Sequence, residues 1–255
     1  FLLAISITEV CSYLVWFEII EPFKNASVIN PTPFMSHISY NPILAIAIYL
    51  VLHEIFFNKK ITNLVFSFYS FFAISITINM FITGGRAGQV MFFVMLAIII
   101  FQFFNTQKIK ALFLISIIIP GVFFTAYTTS DLFQQRVYAA VKNTIYYSEN
   151  KASSVGLRIT FALNSWEVIK KNPIIGVGTG DFPIEYKKIN KINTPGLPNT
   201  TNPHNMYTLA AMELGALGII SMLSIFYYQI KLSFNSSNKF IRDVGITLPL
   251  LFLVI

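Results

Sequence analysis

Five long apolar runs, at residues 41–57, 61–83, 89–104, 109–127 and 205–230, constrain this chain more than any other feature. Each approaches or meets the roughly 17 to 25 residues needed to cross a hydrocarbon core. Lipid offers a backbone no partners, so a lone run of this kind must close its own hydrogen bonds as a helix. Residues 1–20 are apolar enough for a sixth span, although Glu9 and Glu18 oppose it, and residues 244–255 are too short to cross. With 55% hydrophobic residues against 11% charged, the composition is that of a membrane protein. The start on Phe1 and the stop inside an apolar run read as a fragment of a larger polytopic protein, with helices missing at both ends. The first segment lacks the basic start and small-residue cleavage site of a signal peptide. Cys11 is the only cysteine, which excludes an internal disulfide and a cysteine-based metal cluster.

Charge sets the expected topology. Lys59, Lys60, Lys108, Lys110, Lys231, Lys239 and Arg242 fall in short loops on one side, against Lys24 and Arg86 on the other. The excess of basic residues marks the cytoplasmic side, which places the Arg86 turn and the His204 end outside. The intervening stretch is too long for that rule to govern and falls outside by alternation. The expected organisation is all-α, a polytopic helical membrane protein of about five to seven transmembrane helices. It divides into residues 1–127 (helices and short loops), 128–203 (a mostly helical periplasmic cap) and 204–255 (further transmembrane helix).

Within the cap, Val155, Ile159, Ala162, Trp166 and Ile169 recur at spacings of three or four, which predicts an amphipathic helix whose apolar stripe packs on the membrane domain and carries Arg158 toward the outer surface of Arg86 and His204. Ser153 or Ser154 can cap its start, Asn172-Pro173 stops it, and Gly176, Gly178 and Gly180 form a flexible turn. That glycine run has no following Lys-Ser or Lys-Thr and no preceding strand, so it is not a nucleotide-binding loop. Nine Lys and Arg against five acids give the cap a basic balance. Such a face attracts anionic donors or lipid headgroups, or is simply solvated.

Few side chains here can do chemistry. His204, in Asn202-Pro203-His204-Asn205, is expected to open the last long helix, placing a ring that titrates near neutral pH beside the positive end of the helix dipole. It could equally serve as an interfacial cap. Thr208, Ala211, Gly215 and Gly218 share its expected helical face, a small-residue stripe suited to holding a neighbouring helix close. Glu213 would face the other way and form a buried polar contact that locks helix packing. Arg86, in Thr83-Gly84-Gly85-Arg86-Ala87-Gly88, sits where glycines let backbone crowd a ligand. A guanidinium there suits a diphosphate or snorkels to headgroups. Arg158 borders the cap stripe. His53-Glu54 and His37 have no partners at metal-ligand spacing and read as structural, with His37 on the reactive side.

These pieces also carry a resemblance. Gly85-Arg86-Ala87-Gly88 stands before a span, and Arg158 leads through Trp166 to Asn172-Pro173-Ile174-Ile175-Gly176-Val177-Gly178. His204-Asn205 with Gly215 and Gly218 follows. In order and separation the set resembles the bacterial O-antigen ligase and polymerase superfamily of integral-membrane glycosyltransferases, over residues 84–218. The resemblance implies transfer of a glycan from undecaprenyl diphosphate to an acceptor hydroxyl at the periplasmic face of the bacterial inner membrane, with no cofactor, metal or nucleotide sugar. It implies His204 as the base, Arg86 and Arg158 as diphosphate clamps, and Asn205, Glu213, Gly215 and Gly218 in support. The acceptor is the lipid A core in a ligase, a second lipid-linked glycan in a polymerase, and a protein in an oligosaccharyltransferase. Partners are thus these two substrates and membrane lipids, with no nucleic acid. The family's arginine is often followed four residues later by Leu, whereas Ala162 follows Arg158 and Val90 follows Arg86, so Arg136 is a further candidate. A transporter or flippase of lipid-linked sugars is the rival from another class, with Glu9 and Glu213 as its charged groups, although transporters keep such groups near the midplane.

Overall fold

A computed structural model of the chain describes residues 1–23 and 26–254. Lys24, counted above toward the outer side, lies outside the described residues. Among the described residues ten helices follow in order: α1 Leu2–Trp16, α2 His37–Phe57, α3 Asn63–Ile82, α4 Arg86–Phe103, α5 Lys108–Thr129, α6 Asp131–Ile145, α7 Ser154–Ile169, α8 Phe182–Asn193, α9 Met206–Phe234 and α10 Lys239–Val254. Five of them (α2, α3, α4, α5 and α9) are long and apolar enough to cross a membrane. The described residues contain no strand, and the protein is a polytopic helical membrane protein. At 15 residues α1 is shorter than a crossing helix. The chain leaves it at Glu18, whose φ of 58° is incompatible with continuing.

The helices fall into two compact units, Phe1–Val137 with Ser236–Ile255, and Tyr138–Asn235. In the first, α2 is the centre, packed by α3 and α4, with α5 and α10 against α4 and α1 against α2 and α3. Tyr40, Leu44 and Val51 of α2, Ile76 and Met80 of α3, and Ile99 of α4 are fully buried. By contrast α5 buries only Ala111 and Ala126, as an apolar helix does when lipid takes the place of a core. Polar side chains fasten this bundle at both ends. At one, Asn41 donates to the Met80 and Gly85 carbonyls and accepts from Thr83 Oγ1 at 2.7 Å. At the other, His53 Nε2 lies 3.0 Å from Asp243 Oδ2, and Lys239 Nζ lies 2.6 Å from the same oxygen. The Lys239 ammonium also stands 3.8 Å over the Phe57 ring. His53 was expected to be structural without a partner in view; Asp243 of α10 is that partner.

The second unit packs α7, α8 and α9 around Phe161, Val168, Phe182, Tyr186 and Met212. Ser153 caps α7 by accepting from the Gly156 N–H. Within this unit α7 turns in a face other than its apolar stripe. Gly156, Thr160, Phe161, Asn164, Ser165 and Val168 are buried, while Ala162 and Trp166 are exposed. The reason is a polar core. Asn164 Nδ2 donates to Thr194 Oγ1 at 2.9 Å and reaches Tyr186 and Asn190, and Tyr147 pairs with Thr160 at 2.9 Å. Satisfied polar groups are buried at little cost, so this unit can hold a polar core.

Candidate active site

The Gly-rich turn between α3 and α4 carries Arg86 as the first residue of α4, with Gly85 as its N-cap. Its glycines serve a contact within the protein. A Cβ on Gly85 would overlap the His37 carbonyl, and one on Gly88 would overlap Asn41 and lie 2.5 Å from the Pro42 nitrogen. The turn therefore crowds the start of α2. That approach sets Arg86 beside His37. Arg136, on α6, lays its guanidinium against the same turn, 3.2 Å (Nη2), 3.5 Å (Nε) and 3.6 Å (Cζ) from where a Gly84 Cβ would stand. Both arginines act electrostatically on His37.

In the second unit, two of the sequence motifs prove to be halves of one joint. Helix α9 breaks at Gly215, whose φ of 63° and ψ of −152° are non-helical. A break leaves backbone groups unpaired, and the loop after α7 supplies their partners. Val177 N–H donates to Met212 O at 2.9 Å and Gly178 N–H to Glu213 O at 3.0 Å. Beyond the break, Ala216 N–H donates to Pro173 O at 2.8 Å and Leu217 N–H to Ile174 O at 3.2 Å. Gly215 and Gly176 (φ 70°) make the approach possible, because a Cβ on either would overlap the other segment's backbone. The run at Gly176 and Gly178 is thus a docking strap, not a flexible turn. Nor do Gly215 and Gly218 form a stripe against a neighbouring helix. Gly215 meets the Ile174 carbonyl, and Gly218 faces Leu214 and the Ala210 carbonyl of its own helix. The part of α9 after the break, from Ala216 to Phe234, is roughly 28 Å long and matches the hydrocarbon thickness by itself.

Glu213 lies just before that break. It was expected to lock packing through a buried carboxylate; instead the side chain is half-buried, with no hydrogen-bond or ion-pair partner among the described residues, and its backbone carbonyl makes the contact.

His204 also departs from expectation. The helix begins after it, at Met206, because Asn205 is the N-cap and accepts from the Thr208 N–H at 2.8 Å and from Thr208 Oγ1 at 3.1 Å. His204 is held outside by a second short-range bond, its N–H donating to Asn202 Oδ1 at 2.7 Å, with φ at 57°. Pro203 is buried and His204 exposed. The imidazole stacks on Phe161 of α7, with ring centroids 6.2 Å apart and planes at 26°. Phe161 is in turn edge-on to Tyr186. Burial pushes the Tyr186 hydroxyl above its ordinary value, against the opposing hydrogen bond from Asn164, so it stays protonated and able to donate to Asn190. Asn190 Nδ2 reaches on to the Leu197 carbonyl and Asn199 Oδ1, in the segment leading to His204.

Arg158 sits one turn before Phe161 on α7, exposed and without a hydrogen-bond or ion-pair partner among the described residues. Arg158 and His204 thus belong to one unit, on the same helix-and-platform assembly, while Arg86 belongs to the other. Sequence reading missed Phe161 and Asn202. The Asn202-Pro203-His204 order, a side-chain acceptor two residues before the histidine, was the signal for an Asx turn.

The described residues form helices without strands, and one of the two units carries an exposed imidazole, His204, and an exposed guanidinium, Arg158. A family model described as O-antigen ligase matches residues 70–223, from α3 into α9. The match takes in Arg86, Arg136, Arg158, the strap, His204 and Gly215, and the chain belongs to the O-antigen ligase family. No curated protein and no solved structure matches the chain.

Proposed function

We propose that the chain transfers a glycan from undecaprenyl diphosphate to a hydroxyl of the lipid A core at the periplasmic face of the inner membrane, as an O-antigen ligase does. The observation that carries this reading is His204: an exposed imidazole held outside the helix by Asn202, stacked on Phe161, on the helix that also presents Arg158. In the reaction, His204 takes the proton of the acceptor hydroxyl as its oxygen attacks the anomeric carbon. The bond from that carbon to the diphosphate oxygen breaks, and the diphosphate leaves as an anion. Fixed cations stabilise that developing charge, which is the role of Arg158 and Arg86. No metal is required, so transfer persists in EDTA. The charge distribution of the short loops supports the periplasmic assignment.

The test is transfer by the purified full-length protein, supplied with undecaprenyl-diphosphate glycan and either lipid A core or a second carrier-linked glycan. Product on lipid A core supports the ligase reading, and product only on the second carrier makes the protein a polymerase. His204→Ala is expected to lower transfer by about 100-fold to 10,000-fold, the usual worth of a general base. Wild-type activity in that variant sinks the mechanism.

A further inference from the structure

The first unit holds a basic cluster that the reaction above uses only in part. His37 opens α2, Arg86 opens α4, and Arg136 lies one turn beyond Phe133 on α6. Three contacts fix their mutual positions. Gly85 packs on the His37 carbonyl. Asn30 bridges the turn to the imidazole, its Oδ1 accepting from the Gly84 N–H at 2.9 Å and its Nδ2 lying 3.1 Å from His37 Nδ1. Ser130 ties the start of α6 to the end of α3, its hydroxyl donating to the Phe81 carbonyl at 2.7 Å and accepting from the Phe133 N–H at 3.2 Å. Phe133 meets Phe81 edge-on at 5.1 Å and brings the next turn of α6 over the Gly-rich turn.

The bridging asparagine also settles which ring nitrogen is a donor. Gly84 N–H can only donate, so the atom facing it is the amide oxygen, and the amide nitrogen faces His37. Nδ1 is then an acceptor, and the neutral ring carries its proton on Nε2, free to donate elsewhere. The Arg136 guanidinium is held over Gly84 by position, not by a carboxylate: it has no ion pair among the described residues. The Arg136 guanidinium and the His37 imidazole N–H thus stand at one turn, beside the N-terminal ends of two helices, where donors and partial positive charge favour an anion.

We propose that Arg136 and His37 join Arg86 in a single anion site that takes the diphosphate of the lipid-linked donor, Arg136 offering its planar fork and His37 its Nε2–H. This rests on the reading of Arg86 as a diphosphate ligand and extends it to two residues from other helices.

The test uses the full-length protein in nanodiscs of zwitterionic lipid, with inorganic pyrophosphate as the probe and binding read by calorimetry at low salt. Arg136→Gln is expected to weaken pyrophosphate binding about 10-fold or more, with Arg136→Lys retaining part of it, since a point charge replaces a fork. His37→Ala is expected to cost about 3-fold to 10-fold, and His37→Gln, which keeps a donor, less. Thermal unfolding of each variant reports folding, and if Arg136→Gln does not fold, Arg136→Lys and His37→Gln carry the comparison. Unchanged binding in the folded Arg136 and His37 variants, with loss in Arg86→Gln, overturns this site and leaves the reading of Arg86 standing. Unchanged binding in all three, or none to the wild-type protein, overturns both. If phosphatidylglycerol in the disc displaces pyrophosphate at equal phosphate, the occupant is a headgroup and the diphosphate assignment falls.

Discussion

Gly215→Ala tests the joint between the strap and the broken helix. At φ 63° and ψ −152°, Gly215 occupies a region that other residues enter at a cost of about 1 to 3 kcal/mol. The added methyl would also overlap the Ile174 carbonyl and stand 2.7 Å from the Gly176 nitrogen, so the strap must move. Four backbone hydrogen bonds cross the joint. Losing two of them costs about 1 to 3 kcal/mol at typical net values. Together the substitution should destabilise the second unit by about 2 to 6 kcal/mol, which for a protein of this size lowers Tm by on the order of 10 °C. The assay is thermal unfolding of the detergent-solubilised protein, followed by tryptophan fluorescence. Gly196→Ala is the control, because a Cβ there meets nothing within 4 Å. Gly176→Ala should behave like Gly215→Ala, and the double variant should fall short of the sum because both break one contact. If Gly215→Ala melts with the wild-type protein, the joint does not hold the unit together.

Three further outcomes follow from the packing. Phe161→Leu removes the platform under His204, and should lower kcat about 10-fold with KM little changed, while Phe161→Tyr restores activity; equal loss in both variants would argue against stacking as the cause. Asp243→Asn strands a buried His53 and the Lys239 ammonium, costing about 3 kcal/mol, readable as a drop in Tm with the fold of the second unit unchanged. Arg158→Lys should lose on the order of 10-fold in transfer and Arg158→Ala more, because a fork on a diphosphate is not replaced by a point charge; equal activity in both would refute a direct contact.

The spans were legible because an apolar run of bilayer length leaves a backbone few choices. All five predicted runs overlap the crossing helices to within a few residues. The Ser153 cap was equally local, and so readable. The face that α7 buries within its own unit was not: periodicity counts apolar residues, and Asn164 and Thr160 are buried because Tyr186, Asn190, Thr194 and Tyr147 reach them from elsewhere. The break at Gly215 was hidden for a related reason. Nothing in Leu214-Gly215-Ala216 demands a break until Pro173–Gly178 docks and satisfies the freed groups. For His204, two asparagines compete to begin the helix, and the outcome turns on which side chain meets which N–H. The pairing of His53 with Asp243 spans 190 residues and leaves no local trace.

That last pairing has a consequence for the order in which the molecule is made. The second unit, Tyr138–Asn235, is inserted in the chain between the two segments of the first, and α10, which packs on α4 and offers Asp243 to His53, follows it. During synthesis α2 therefore carries an unpartnered histidine while the whole inserted unit is translated. The strap, by contrast, precedes α9, so the groups that mend the broken helix already exist when it emerges. The partners of the broken helix are thus made before it, whereas the partner of His53 is made only after the inserted unit.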